Sequence, residues 1–279
     1  MVLVQLTNGF GNNLFQYNAA RLLAEYLDQE TYALPPFGGY YATSCLDSLG
    51  VNFLPPTVNM AAKKCIDINE KNYRLAFDEE YKDYNFIIRG YFEDYSLFVG
   101  DLRRIRSWYP EIKKRSDSDL VIHFRAGDRL LYKNEFYQKP SVESYINAIE
   151  SFNFDKLHIV TDMPKWDYIN EEDIEKMRFH VDVPIENRVS SAESSDYFNS
   201  FISAFEKYKP VSEKRSIYED FQFIRSFDNI LFQHGTLGWW ASFLSEASRV
   251  GVYGPWRPWK GKSNKNLSQV PLDAWFKWE

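Results

Sequence analysis

Three charged or titratable side chains lie close together in the segment HFRAGD, residues 123–128. The apolar run before them predicts a strand over 120–124, and open α/β sheets bind ligands at the carboxyl ends of their strands. An arginine there, Arg125, can grip a diphosphate through two N–H bonds and neutralise a leaving group. Asp128 would hold Arg125 or accept a bond from a sugar hydroxyl. The alternative is an Arg125–Asp128 ion pair that only terminates the strand.

Two more predicted strands end in polar residues. Thr161 and Asp162 follow the apolar run in KLHIVTD, residues 156–162. The segment QHGTLGWW, residues 233–240, places Thr236 where it would be the N-cap of a helix. Each has a simpler interpretation, because Asp commonly caps a following helix and Trp239 and Trp240 suit a core. Because several predicted strands end in polar residues, all of these ends could face one cleft.

The segment GFGNN, residues 9–13, stands between a predicted strand at 2–6 and a helix predicted from Leu14. Gly11 would allow a ligand close to the backbone, and Asn12, Asn13 and Gln16 add uncharged donors and acceptors. A tight turn with amide caps explains the same residues. The third glycine of a dinucleotide-binding fingerprint is missing.

The elements around these motifs alternate between strand and helix. Such alternation predicts an α/β protein with parallel sheets and helices on both faces. The charged stretch at 113–119 predicts a linker between two halves. The predicted strands cover 2–6, 85–92, 120–124, 156–162, 178–183, 229–233 and 249–255, and the helices cover 14–27, 93–105, 142–152, 216–228 and 236–247.

Composition limits the function classes. The 279 residues carry a formal net charge of −6, which argues against a protein held by nucleic-acid phosphates. The two cysteines, Cys45 and Cys65, have no metal-ligand spacing, and Asp117 and Asp119 lie in the predicted linker, so we expect no metal. The first residues do not have the pattern of a signal peptide, and no window reaches about 20 apolar residues. We therefore expect a soluble, cytoplasmic protein.

The motifs, taken in order, resemble those of the α-1,2-fucosyltransferases and their bacterial and viral relatives. TNGFGNNLFQY is similar to the opening of that family, RGYFEDY to its Gly-Tyr-Phe-Gln segment, and VIHFRAGD to its hallmark Ile-His-Val-Arg-Arg-Gly-Asp. HIVTDMPKW resembles its Ser-Asp-Asp segment, and FQHGTLGWWASFL resembles its Ser-Thr-Phe-Ser-Trp-Trp-Ala. The closing GPWRPW and VPLDAWFKW resemble its Pro-x-x-Trp ending. The resemblance extends over nearly the whole chain.

This resemblance implies a GT-B fold, in which two Rossmann-like domains face a central cleft. Residues 1–115 would be the N-terminal domain on the acceptor side, and residues 116–279 would bind the nucleotide sugar, with the C-terminal tail packing back. The implied reaction is an inverting transfer of fucose from GDP-fucose to a glycan hydroxyl, usually the 2-hydroxyl of galactose, without a required metal or cofactor. Loops within 35–84 and 129–141 are expected near the acceptor.

The resemblance also implies roles for the motif residues. Arg125 engages the β-phosphate, Asp128 and His123 shape the nucleotide site, Asp162 lies near the nucleoside, and Thr236 meets the diphosphate. The N-terminal segment with Gly11, Asn12, Asn13 and Gln16 faces the donor. For the general base we predict Glu93 or Asp94, because the family more often has Gln-Ser there. The predicted catalytic residues are therefore Arg125, Asp128 and Glu93.

Several positions depart from the family pattern. Ala126 replaces the second arginine of the hallmark, Met163 replaces an aspartate, Asn13 replaces a glutamine and Gly238 replaces a serine. These differences keep two alternatives open: a transferase of the same fold that uses another GDP-deoxyhexose or sugar nucleotide, and a glycan-binding relative with weakened catalysis. A nicotinamide-dependent oxidoreductase rests only on the Gly-x-Gly pattern. The sequence has no signal for the acceptor or the oligomeric state.

Overall fold

The computed structural model describes residues 1–7, 9–34, 47, 49–55, 57, 64–133, 139–181, 183–233, 235–254 and 272–279. The chain divides into two compact units, Met1–Glu111 and Ile112–Glu279. The predicted boundary lies between residues 115 and 116. Its linker at 113–119 is wrong in part, because strand β5 begins at Ser116. The polar first residues of β5 are bonded to neighbouring segments. Ser118 bonds Asp155 (2.7 Å), and Asp119 contacts the imidazole of His158 (3.2 Å).

The first unit contains a four-stranded parallel sheet in the order β2-β1-β4-β3. Strand β1 is central, and its apolar residues are fully buried, as its β-branched, apolar sequence predicts. Strands β2 and β3 were not predicted, because each has only four residues and most of these are partly exposed. The strands of this unit are β1 (Val2–Gln5), β2 (Thr31–Leu34), β3 (Cys65–Ile68) and β4 (Asn85–Ile88).

The first helix, α1 (Phe10–Tyr26), begins four residues before the predicted start at Leu14, with Gly9 as its N-cap. The glycine and asparagine segment therefore forms the first turn of α1 and is not a loop. The single helix predicted at 93–105 is also wrong. Two short 3-10 turns, Tyr95–Leu97 and Val99–Asp101, precede a six-residue helix, α2 (Leu102–Ser107).

The second unit contains a six-stranded parallel sheet in the order β10-β9-β8-β5-β6-β7. Its strands are β5 (Ser116–Phe124), β6 (Leu157–Thr161), β7 (Val211–Ser212), β8 (Phe227–Phe232), β9 (Arg249–Tyr253) and β10 (Trp275–Trp278). Its helices are α3 (Val142–Glu150), α4 (Glu171–Phe179), α5 (Ser191–Phe205), α6 (Ile217–Arg225) and α7 (Thr236–Leu244). The predicted α/β class with parallel sheets is confirmed.

Two helices of this unit were not predicted. The strand predicted at 178–183 is wrong, because Arg178 and Phe179 end helix α4, which Asn170 and Asp173 open with reciprocal capping bonds. Helix α5 begins with a run of serines and acidic residues, so its apolar face is not evident in the sequence. That face buries Phe198, among others, against the sheet's core cluster.

An aromatic cluster fixes the end of the central strand β5. The ring of Phe124 contacts those of Tyr145, Trp166 and Phe201 at centroid distances of 5.3, 5.1 and 4.9 Å. These buried contacts stabilise the backbone from which Arg125 projects. None of the helices in the described part of the chain has the length and hydrophobicity of a membrane span.

The tryptophans near the C-terminus belong to the core where the structure describes them. Trp275 and Trp278 lie in β10, which pairs with β9, and both are buried. The Trp278 ring contacts that of Tyr145 at 4.6 Å. Trp256 and Trp259 lie outside the described residues.

Candidate functional site

Arg125 follows strand β5 and is bound by two carboxylates. Its Nη2 donates to Asp128 Oδ1 (2.6 Å), and its Nη1 donates to Asp162 Oδ2. The side chains of all three residues are partly exposed, at 34%, 29% and 24%. The structure thus shows the ion pair that the simpler interpretation predicted, and it adds Asp162. A guanidinium has five N–H donors, so binding two carboxylates and contacting an anion are compatible.

Asp162 bonds the backbone beside Arg125 as well as the guanidinium. Its Oδ1 accepts the Ala126 N–H at 2.8 Å. The residue after Ala126 must be glycine. Gly127 has a φ of +23°, and a Cβ there would lie 2.2 Å from Asp162 Oδ2. Neighbouring strands β5 and β6 run parallel, which brings the ends of both to one edge of the sheet. The predicted convergence of Arg125, Asp128 and Asp162 is therefore observed.

Gln233, at the end of strand β8, fixes the main chain of Arg125. Its Nε2 donates to the carbonyl oxygen of Arg125, and its Oε1 accepts the Tyr145 hydroxyl at 2.8 Å. Gln233 and Tyr145 are both buried. Gln233 is the first residue of the motif at 233–240, which predicts no role for it. Its signal was its position directly after a buried strand.

His123 lies under the start of helix α7 and is only 3% exposed. Burial, with the nearby Arg125 charge, lowers the pKa of His123 to about 3, so its imidazole is neutral near pH 7. Its Nδ1 has no hydrogen-bond partner among the residues that the structure describes. A Cβ on Gly238 would lie 2.5 Å from that atom, so the absence of a side chain at 238 makes room for the ring.

Helix α7 begins at Thr236, and its N-cap is Gly235, which has a φ of +139°. The prediction that Thr236 is the N-cap is wrong, because this glycine takes that position and Thr236 is the first helical residue. A Cβ on Gly235 would lie 3.9 Å from Arg125 Cγ, which places the helix start beside the arginine. The free N–H groups at the start of a helix attract anions. His234 lies outside the described residues.

A pocket opens beside Arg125 and contains two more cations, Arg129 and Lys139. Tyr197 and Gln233 also line it. Residues 129–141 are predicted to lie on the acceptor side, and the structure places these two members of that segment next to Arg125. Residues 134–138 lie outside the described residues. Lys139 was missed because nothing in its sequence neighbourhood marks it.

In the first unit, Glu93 is bonded to the first turn of helix α1. The Asn12 Nδ2 donates to Glu93 Oε1 at 2.8 Å, which joins two residues predicted to act on the substrate. Asp94 has a different role, because its Oδ1 accepts the Ser96 N–H at 3.0 Å and caps a 3-10 turn. Each carboxylate thus accepts a hydrogen bond, Glu93 from helix α1 and Asp94 from its own turn.

The turn before Glu93 has an unusual backbone. Phe92 is fully buried with a φ of +54°, a conformation that is rare for a bulky residue. Glu70 Oε1 accepts the N–H groups of Tyr91 (2.5 Å) and Phe92 (3.0 Å). Strained backbone is common at functional sites. Here it directs the chain from strand β4 into Glu93.

Asn13 and Gln16 use their amides within the fold. Asn13 donates to the Thr7 carbonyl at 2.7 Å, and Gln16 donates to the Gly90 carbonyl at 2.7 Å. Both side chains are 1% exposed, and Gly11 is buried in the same helix turn. These bonds tie β1, α1 and the turn after β4 together. Asn12 is the more exposed member of the predicted set.

Two of the departures from the family pattern are core residues. Ala126 and Met163 are 1% and 6% exposed and belong to the buried cluster of the second unit. An arginine or aspartate at these places would need a different local packing. Among the described residues, no group of three or more His, Cys, Asp or Glu side chains is placed to hold a metal ion. Asp117 and Asp119 lie in β5.

Comparison with known proteins gives similarity in structure only. No protein-family model matches the chain, and no curated protein sequence matches it. A variant of Arabidopsis thaliana FUT1 in complex with GDP is similar at 12% identity and a TM-score of 0.43, over 91% of this chain and 70% of that one. POFUT1 in complex with GDP-fucose is similar at 9% and 0.42, over 90% and 97%. NodZ α-1,6-fucosyltransferase soaked with GDP-fucose is similar at 10% and 0.36, over 89% and 93%.

Proposed function

We propose that this protein is an inverting glycosyltransferase that moves fucose from GDP-fucose to a sugar hydroxyl, such as the 2-hydroxyl of a galactose residue. The observation that carries the proposal is Arg125, held at the end of β5 by Asp128 and Asp162 beside a pocket with two further cations. A fixed guanidinium of this kind suits the charge that develops on a departing diphosphate. The resemblance of five further motifs, in order, supports the choice of donor.

In the proposed reaction the acceptor oxygen attacks the anomeric carbon of fucose as the bond from that carbon to the β-phosphate oxygen breaks. The bonding electrons leave with GDP, and Arg125 stabilises the charge that they bring. The acceptor proton passes to Glu93, which Asn12 orients. A single displacement inverts the configuration at the anomeric carbon.

Other residues of the second unit take supporting roles. Thr236 and the first turn of α7 would contribute N–H groups to the diphosphate. Asp162, as a partner of Arg125, would position the guanidinium and not read the base. His123 would fill space as a neutral ring beneath the site. No metal is assigned, because the cationic side chains supply the charge that a metal would.

The test is an assay of GDP release and sugar transfer with GDP-fucose, other GDP-sugars and UDP-sugars, using galactose-terminated acceptors. We expect GDP-fucose to be the preferred donor and Arg125→Ala to lose at least a hundredfold in turnover, the effect typical of removing one transition-state contact. Transfer from another sugar nucleotide would establish the first alternative. Glycan binding without turnover would establish the second. Near-normal rates in Arg125→Ala would remove the phosphate grip.

A further inference from the structure

Glu70 lies at the carboxyl edge of the first sheet, two residues after strand β3, and its side chain is exposed. Its Oε1 accepts the N–H groups of Tyr91 at 2.5 Å and Phe92 at 3.0 Å. Hydrogen bonds from main-chain N–H groups to an ionised carboxylate are stronger than those between neutral groups. This exposed side chain therefore holds the main chain that follows strand β4.

The turn that carries Glu70 is itself held by side chains. Asn72 Oδ1 accepts the Asn69 N–H at 2.7 Å, and Asn69 Oδ1 accepts the Lys71 N–H at 2.9 Å. Asn72 Nδ2 also donates to the Asp67 carbonyl at 3.0 Å, which joins the turn to β3. Asparagine side chains that bond the neighbouring main chain are typical of tight turns. Glu70 thus reaches the next strand from a fixed position.

The segment that Glu70 holds is fixed from the core as well. Phe92 has a φ of +54°, a conformation that persists only where other contacts impose it. Its ring contacts that of Tyr73 at a centroid distance of 5.4 Å, and Gln16 donates to the Gly90 carbonyl at 2.7 Å. A Cβ on Gly90 would lie 2.6 Å from Glu70 Oε2, so the absence of a side chain there gives the carboxylate room.

Glu93 is the central residue of the turn that follows. The Phe92 carbonyl accepts the Asp94 N–H at 2.7 Å, which closes a three-residue γ-turn around Glu93. At the end of the Glu93 side chain, Oε1 accepts the Asn12 Nδ2 at 2.8 Å. The direction of the Glu93 side chain therefore depends on the conformation of Phe92, whose N–H is bonded to Glu70.

We propose that Glu70 is a positioning residue for Glu93, and that it holds the turn after β4 in the conformation that directs Glu93 to Asn12 and to the acceptor hydroxyl. The inference rests on the proposed function, which makes Glu93 the general base. A base must lie within hydrogen-bond reach of the proton that it takes, and a displacement of about 1 Å can lower a rate about a hundredfold. Glu70 acts through the main chain, so its role requires an acceptor oxygen and not a group that titrates.

Steady-state kinetics of transfer from GDP-fucose test this role with two changes at one position. Glu70→Ala removes both bonds, and we expect kcat to fall about tenfold to a hundredfold with the donor KM within about twofold of wild type. Glu70→Gln keeps an oxygen that can accept both N–H groups, so its kcat should stay within about threefold of wild type. A folded Glu70→Gln as slow as Glu70→Ala would overturn the proposal, because the carboxylate itself would then be the group that turnover needs.

The matched control is Asp67→Ala. Asp67 is another exposed carboxylate near the carboxyl edge of this sheet, but it pairs with the side chain of Arg89, at 3.1 Å. Removing an exposed pair of this kind should change kcat less than about twofold. Equal losses in Asp67→Ala and Glu70→Ala would contradict the inference, since negative charge at this edge would then matter and the bonds to the main chain would not.

A double variant separates the positioning of the base from general support of the fold. In the background of Glu93→Gln the base is already absent, so adding Glu70→Ala should lower kcat by less than about a further twofold. The full tenfold or greater loss in that background would reject the positioning role.

NMR spectra provide a measurement that needs no turnover. The side-chain amide signals of Asn12 report its bond to Glu93, so they should move in Glu70→Ala and stay near their wild-type positions in Glu70→Gln. Unmoved signals in Glu70→Ala would overturn the proposal. Asn12 signals that depend on Glu70, without turnover of any GDP-sugar, would sustain the positioning of Glu93 and reject the fucosyltransferase. Transfer from GDP-fucose with equal kcat in wild type and Glu70→Ala would do the reverse.

Discussion

The carboxylate of Asp162 bonds Arg125 at its guanidinium and the chain immediately after it at the Ala126 N–H. One side chain directly after β6 therefore sets both the direction of the guanidinium and the path of the turn that follows β5. Gly127 is part of this arrangement, because a Cβ at that position would clash with Asp162. An arginine fixed in this way loses little entropy when an anion arrives, which is the condition for strong charge stabilisation.

Replacing Asp162 separates these two roles. Asp162→Asn can still accept the Ala126 N–H, but its amide cannot pair with the guanidinium charge. We expect it to lower turnover ten- to a hundredfold while unfolding near the wild-type temperature. Asp162→Ala also leaves the N–H unbonded and should cost a further 1–2 kcal/mol or so in the free energy of unfolding. Steady-state kinetics and chemical denaturation measure both effects.

The exposed Asp155 serves as the control, because it bonds Ser118 away from this edge of the sheet. Asp155→Asn should leave turnover unchanged. Wild-type kinetics in Asp162→Asn would show that the ion pair only terminates the strand.

The separate roles of Glu93 and Asp94 give the next prediction. Glu93→Gln keeps a group that can bond Asn12 but cannot take a proton, so kcat should fall a hundredfold or more with little change in donor affinity. Asp94→Asn should keep kcat within a few-fold of wild type and unfold like wild type, because the asparagine oxygen can still accept the Ser96 N–H that caps the turn. Both are measured by kinetics with a fixed acceptor and by denaturation. The opposite ranking of the two variants would transfer the base to Asp94.

The sequence predicted the central strands, and it predicted the site where strands end. The buried segments 2–4 of β1 and 230–232 of β8 are apolar runs, which are typical of strands inside parallel sheets. The convergence of Arg125 and Asp162 followed from this, because parallel strands end at one edge. Edge strands such as β2 were not predicted, because most of their residues are only partly buried.

What the sequence could not predict depends on contacts far apart in the chain. Gln233 acts on Arg125 through a carbonyl 108 residues away. Lys139 reaches the pocket because Tyr197, on a helix with a polar beginning, holds the adjacent carbonyl. Neither relationship leaves a periodic pattern. The start of α1 was predicted too late for a related reason. Asn13 and Gln16 are polar residues, and only their hydrogen bonds within the fold show why they are buried.

The contact between Gly238 and His123 gives a prediction about packing. A methyl group at 238 would meet His123 Nδ1 at 2.5 Å and Phe232 Cβ at 3.2 Å, and both neighbours are buried. We expect Gly238→Ala to destabilise the fold by about 1–3 kcal/mol, the usual cost of overpacking. The control is Gly100→Ala, because a Cβ at 100 would meet nothing within 4 Å.

A double variant tests whether the ring is the cause. In the background of His123→Ala, which removes the ring, the added cost of Gly238→Ala should shrink by more than half. Additive effects of the two changes in denaturation experiments would show that Gly238 is needed for some other reason, such as its contact with Phe232.

The buried imidazole of His123 makes the stability of the protein depend on pH. Its pKa is lowered to about 3 in the folded chain from an ordinary value near 6.5, so between these values the unfolded chain binds the extra proton. Protonation therefore favours unfolding as the pH falls below about 6.5, and the loss continues down to the folded pKa. From this group alone we expect a loss of about 2 kcal/mol in the free energy of unfolding between pH 6 and pH 4.5.

His123→Gln removes the titration, so its stability relative to wild type should improve by this amount over the interval, as measured by urea denaturation at each pH. Carboxylates titrate in both proteins and cancel in the difference. A constant difference between the two curves would mean that His123 is protonated in the folded state, and a charged ring beside Arg125 would then have to join the cations that attract the anion.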